Sequence, residues 1–168
     1  MSSTAILCQA GSLVLRPEAA NGADEPFLFA LFTSTKASEM ALMPVGEAVK
    51  EHLLRMQYRS MTATYHHQYP AARFEIVMIN GQDAGRLITD VNAERVYYVD
   101  IAILPQIQGG GVATALMNAV LREPKRLGIP GRVKVMGSNG ASLRLCQKVG
   151  FTVVAREPPY VDLEWRAP

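Results

Sequence analysis

Three consecutive glycines, Gly109-Gly110-Gly111, stand where a β-rich run gives way to a helical pattern. Glycine lets the main chain approach a ligand with no Cβ in the way. The first amides of a helix lack internal partners, and the helix dipole favours an anion beside them. A β-run, a glycine loop and a helix start in that order make a phosphate cradle. Each amide-to-phosphate hydrogen bond is worth roughly 1.5–3 kcal/mol. Two well-known cradles fit poorly. A P-loop needs Lys and Ser/Thr directly after its last glycine, and Val112-Ala113 follow here. A dinucleotide fingerprint needs Gly-x-Gly-x-x-Gly, and Gly109-Gly110-Gly111-Val112-Ala113-Thr114 ends in Thr, late in the chain. A plain glycine-rich turn is the competing structural reading.

A second segment, Ser138-Asn139-Gly140-Ala141-Ser142-Leu143-Arg144-Leu145-Cys146-Gln147-Lys148-Val149-Gly150-Phe151, follows about 30 residues later. Gln108-Gly109-Gly110-Gly111-Val112-Ala113, preceded by Ala102-Ile103-Leu104-Pro105, resembles the pyrophosphate loop Gln/Arg-x-x-Gly-x-Gly/Ala of the GNAT superfamily of acyl-CoA N-acyltransferases. The second segment resembles that family's Asn-x-x-Ala-x-x-Leu-Tyr-x-x-x-Gly-Phe. The resemblance spans about Arg73 to Trp165, over half of the chain. It implies acetyl-CoA as co-substrate, held where two parallel strands splay apart. The pantetheine arm would run along Ile101, Ala102 and Ile103. The pyrophosphate would meet Gln108 and the amides of Gly109, Gly110, Gly111, Val112 and Ala113. Asn139 would touch the pantetheine, with a simple helix cap as the competing reading.

The implied reaction is direct attack of a primary amine on the thioester. An amine with pKa near ~10 must lose a proton first, so a base or a water chain to one is needed. Asp100, in the splayed strand, is the first candidate, against a structural Asp hydrogen-bonded at the strand edge. Glu75 and Tyr98 are weaker ones. Asp100 and Ala102 share one face of the strand and Val99 and Ile101 the other. The family's usual acid is the Tyr of its Leu-Tyr pair, and this chain has Cys146 there. A thiol is a weak donor, so Cys146 is either a departed catalytic acid or a small apolar filler. Gly109-Gly110 also stand where many relatives carry a basic residue, which removes a side-chain contact to phosphate.

The elements that must position these residues are legible from periodicity. Ser12 to Arg16 reads as a strand, Asp24 as the cap of a helix from about Glu25 to Thr33, and Pro44 to Tyr69 as a second helix. Tyr58 and Tyr65 lie on its apolar stripe, as core or as acceptor-pocket residues. Arg73 to Ile79, Gln82 to Asp90 and Arg95 to Leu104 read as an antiparallel meander, with Asn80-Gly81 as a type I′ turn. A helix from about Gly110 should bend or end at Pro124. Arg132 to Met136 is a strand parallel to the last of the meander, Asn139 to Lys148 an Asn-capped helix, and Thr152 to Glu157 with Tyr160 to Trp165 two closing strands. Trp165 is a core residue. The fold class is α/β (α+β): one mixed, mostly antiparallel sheet flanked by helices. The resemblance adds the splayed parallel pair.

Composition bounds the rest. A chain of 168 residues, 49% apolar and 19% charged, is one folded domain over residues 1–168, with 1–10 as a flexible extension. A net charge of +2 without a Lys/Arg cluster argues against a nucleic-acid partner. No run approaches the ~18 apolar residues of a membrane span, and residues 1–10 lack the charge of a signal peptide. Cys8 and Cys146 read as reduced thiols in a cytoplasmic protein. His66-His67 are adjacent on a helix, point apart and lack a third ligand, so no metal is expected. The expected function is N-acetyl transfer from acetyl-CoA to a primary amine of a small molecule or peptide. A non-catalytic acyl-CoA sensor is the alternative from another class, and a nucleotide-binding protein is a third. Acceptor, acyl length and oligomeric state, a homodimer included, stay open.

Overall fold

The computed structural model describes residues 11–168 and, by main chain only, residues 6–8. Five strands come first in spatial order: β1 (Ile6–Cys8), β2 (Gly11–Pro17), β3 (Arg73–Ile79), β4 (Gln82–Val91) and β5 (Val96–Ile103). They continue through β6 (Gly131–Met136) and β8 (Tyr160–Trp165) to β7 (Thr152–Glu157) at the far edge. Every neighbouring pair is antiparallel except β5 and β6. The Asn80-Gly81 turn takes positive φ at both residues (51° and 80°), the requirement that made it legible. Residues 6–8 pair with β2, so this part of the supposed flexible extension is an edge strand; residues 1–5 and 9–10 lie outside the described residues.

Helices cover both faces. On one face α1 (Glu25–Ala41) and α2 (Glu47–Gln68) bury Leu28, Phe32 and Tyr58 against Ile76 of β3. Helix α1 runs well past Thr33. No Gly or Pro interrupts it there, and the hydroxyls of Ser34 and Thr35 donate to the carbonyls of Leu31 (2.6 Å) and Phe32 (2.7 Å), which satisfies them within the helix. Asp24 does not cap this helix with its side chain. Its carboxylate accepts from Arg16 (2.8 and 2.7 Å) and from the Ala19 amide (2.8 Å), because a nearby guanidinium outbids a helix amide.

On the other face α3 (Val112–Val120), α4 (Arg122–Leu127) and α5 (Gly140–Lys148) enclose the main core. Leu13, Val77, Leu87, Tyr98, Leu116, Met117, Val133, Leu163 and Trp165 all belong to it. Pro124 acts before its own position. It has no amide to give the Val120 carbonyl, and α3 ends at Val120. That carbonyl instead accepts from the buried Tyr98 hydroxyl (3.1 Å). Pro124 itself sits in the first turn of α4, where its fixed φ suits a helix start. No helix among the described residues is long and apolar enough to cross a membrane.

Candidate active site

Strands β5 and β6 pair through Val96–Gly131, Tyr97–Arg132 and Tyr98–Val133, and no further. Each continues beyond that point, β5 to Ile103 alongside β4 and β6 to Met136 alongside β8. The two therefore separate into a gap open between Ile101–Ile103 and Val135–Met136. A bulge marks the divergence: Thr89 pairs with Tyr98 and Ile88 with Asp100, leaving Val99 as the extra residue.

The glycine loop lies at the end of β5. Pro105–Ile107 forms one 3₁₀ turn, and Gly109 (φ 98°) and Gly111 (φ 73°) take left-handed conformations. A Cβ on Gly109 would meet nothing within 4 Å, so the loop is open at that residue. Among the described residues, Ala115 is the first of α3 whose amide is engaged, by the Gly111 carbonyl (2.9 Å). The amides of Gly109, Gly110, Gly111, Val112, Ala113 and Thr114 donate to no main-chain carbonyl there. Six donors around a helix start, with open space at Gly109, fit an anion of diphosphate size. Gln108 behaves differently from its expected phosphate contact. Its Nε2 donates back to the Ile103 carbonyl (2.9 Å), which occupies part of the edge expected to meet a pantetheine.

The bulge settles which way β5 side chains point. Arg86 pairs with Ala102 and Ile88 with Asp100, so Asp100 and Ala102 face the α1–α2 layer. Ile101 and Ile103 pack into the opposite core, so only their main chains border the gap. Asp100, beside the gap, is held by Arg86: Nε donates to Oδ2 at 2.8 Å and Nη2 lies 2.7 Å from the same oxygen. Arg86 is 6% exposed, and its guanidinium stands 5.7 Å from the Tyr65 ring. Burial first, and then the Asp100 charge, push the Tyr65 hydroxyl up to about 12. Glu18 shares this face, its carboxyl raised by burial and partly offset by Arg86. The region is a partly buried polar cluster next to the gap. The sequence reading missed Arg86 and Glu18. A lone Arg between Gly85 and Leu87, in an otherwise apolar strand, was the available signal.

The remaining candidates scatter. Cys146 is 4% exposed in the main core, and burial pushes its thiol up to about 11. Asn139 is exposed, and its Oδ1 accepts from the Ser142 amide (3.1 Å), the capping contact. Tyr58 is core, between Phe29 (5.5 Å) and Phe32 (5.7 Å). Tyr98 and Glu75 belong to the α3 side of the sheet, away from Asp100. His66 and His67 are both exposed, with His66 stacked on Phe74 at 4.2 Å. Among the described residues no group of His, Cys, Asp and Glu is assembled for a metal.

A model of the Acetyltransferase (GNAT) family matches residues 45–151. No curated protein sequence matches. Solved structures do. PaiA N-acetyltransferase from Thermoplasma acidophilum, in complex with coenzyme A, is 16% identical, covers 93% of this chain and 99% of its own, and has a TM-score of 0.68. The GNAT domain of S. lividans PAT is 18% identical, with 98% and 97% coverage and a TM-score of 0.66. Campylobacter jejuni PseH in complex with acetyl coenzyme A is 14% identical, with 93% and 99% coverage and a TM-score of 0.58. At these identities the likeness is one of fold.

Proposed function

The chain belongs to the GNAT acetyltransferase family, whose model spans more than half of it, and on that basis we propose that it transfers an acetyl group from acetyl-CoA to a primary amine of a small molecule or peptide. The observation that carries the reading is the pairing of six amides around the start of α3, which meet no main-chain carbonyl among the described residues, with a gap between β5 and β6. One element holds an anion and the other gives an extended arm a place to lie. Relatives of the same fold bind coenzyme A or acetyl coenzyme A, which supports the assignment of the co-substrate.

Acetyl-CoA supplies an activated acyl group: the amine nitrogen bonds to the thioester carbonyl carbon, the C–S bond breaks, and the amine proton is given up. The amides of Gly109 to Ala113 hold the diphosphate, and the main chain of Ile101 to Ile103 lines the arm. Asp100 accepts the amine proton, directly or through water, since it alone of the proposed bases borders the gap. Arg86 fixes its rotamer through Oδ2. Cys146 acts as a core filler. A thiol near 11 is a poor proton donor to a leaving thiolate whose conjugate acid lies near ~8.5, and such a thiolate departs without help. Asn139 remains a cap. The domain acts as one acyl-CoA N-acyltransferase unit over 1–168, in the cytoplasm where acetyl-CoA is consumed.

Thiol release from acetyl-CoA across an amine panel, run beside calorimetry with CoA, tests the reading. Turnover with at least one amine is expected. CoA binding with no turnover on any amine would instead assign a sensor, and absence of CoA binding would remove both.

A further inference from the structure

A cleft of about 330 Å³ lies on the α3 side of the sheet, between β3, β4 and the junction of α3 with α4. It is on the opposite face from Asp100, and the proposed reaction makes no use of it. Leu15 and Leu87 give it apolar walls, Thr89 and Glu75 line its interior, and the exposed Arg122 and Arg126 stand at its rim.

Two observations mark it as a site rather than a packing fault. Thr89 is 2% exposed, and its Oγ1 has no hydrogen-bond partner among the described residues. Native structures rarely leave a buried hydroxyl unsatisfied, so this one, on a residue of the cleft wall, offers an acceptor to a donor that enters the cleft. Glu75 is the second. Its carboxylate comes only within 4.0 Å of Arg73, and Arg73 is already engaged through both terminal nitrogens by Glu123. Burial raises the Glu75 carboxyl, the state of an acid short of a close cation. Arg122 and Arg126 are both exposed, and Arg126 feels only the more distant charge of Glu123, whose carboxylate is already taken by Arg73. An interior that wants a donor, apolar walls and a cationic rim describe one ligand chemistry.

We propose that this cleft is a second binding site, for a small zwitterion: an α-amino acid with an apolar side chain. Its ammonium donates to Thr89 Oγ1 and the Glu75 carboxylate. Its carboxylate accepts from Arg122 or Arg126, and its side chain packs on Leu15 and Leu87. The volume lies at the small end of organic-ligand pockets, which suits a single amino acid.

Calorimetric titration of the full chain with L-leucine tests this. Saturable binding is expected, and it should weaken about tenfold or more with N-acetyl-leucine, which lacks the ammonium, and with leucinamide, which lacks the carboxylate. Thr89→Val and Glu75→Gln should each weaken it by about tenfold. Thr89→Val keeps the buried shape and removes only the hydroxyl, so it reports on the site even if Glu75→Gln fails to fold. No saturable uptake at about 10 mM overturns the proposal. So does uptake that both variants leave unchanged, because the amino acid is then bound elsewhere, the acceptor site included. CoA affinity and thiol release, measured on the same samples, report separately on acetyl transfer, and the two readings can fail independently.

Discussion

Gly111, Asp100 and Cys146 carry the site's chemistry at the scale of single residues, and each makes a different demand. Gly111 combines a left-handed φ of 73° with a place at the mouth of the helix dipole. Gly111→Asp adds a negative charge where a diphosphate must sit, and calorimetry should show no detectable acetyl-CoA binding. Unchanged affinity would count decisively against the loop. Asp100→Asn keeps the shape but not the proton acceptor, and kcat should fall by about a hundredfold while the KM for acetyl-CoA moves less than about threefold. A kcat within twofold of the parent would transfer the base role to another group. Cys146→Ala leaves a small hole in the core, so stability should drop by about 1–2 kcal/mol in urea denaturation, yet at least about a tenth of the activity should persist. An activity loss above about a hundredfold would make the thiol catalytic.

Elements decide where those residues can act. The β4–β5 bulge at Val99 and the short β5–β6 pairing form the gap, and Pro124 forms the joint between α3 and α4. The Tyr98 hydroxyl donates to the carbonyl that this joint strands. Tyr98→Phe should therefore cost about 1 kcal/mol, lowering the melting temperature by about 2–4 °C. Acetyl-CoA affinity should be untouched, since the joint lies at the far end of α3 from the glycine loop. A melting temperature equal to the parent's would show that water serves that carbonyl equally well. The hydrophobic stripes and the Asn-Gly turn made most of these elements legible. Asp24 and Thr33 misled for a local reason. Capping and helix-stop signals are read from neighbours in sequence, and here Arg16, brought in by β2, took the Asp24 carboxylate.

The acid limb of stability belongs to the whole molecule. Arg16 holds the Asp24 carboxyl down to about 2, where an unfolded chain would have it near 3.8. A depressed folded-state value means that this stabilisation is complete above pH ~4 and fades as the pH falls towards 2. Glu123, beside Arg73, and Glu164, buried but beside Arg132 and Arg166, are held down as well and act in the same direction. Glu18 and Glu75 are raised, and their contribution runs the other way, diminishing as the pH rises through their folded values. Asp24→Asn should remove about 1–2 kcal/mol at pH 7 and flatten the fall between pH 4 and 2 in denaturation midpoints. An acid limb with the parent's slope would mean that other carboxylates dominate it.

From residue order alone came the strands, the hairpin, the glycine loop ahead of a helix and the family resemblance. All of these rest on local periodicity and on backbone conformations that few residue types adopt. Only the tertiary structure decided that Asp100 faces the α1–α2 layer and that a buried Arg86 grips it. It also decided that Cys146 is enclosed in the core and that the Thr89 hydroxyl has no partner among the described residues. The reason is physical. A one-residue bulge reverses the facing of everything after it, and ion pairs join residues such as Arg86 and Asp100 whose closeness exists only once strands have paired.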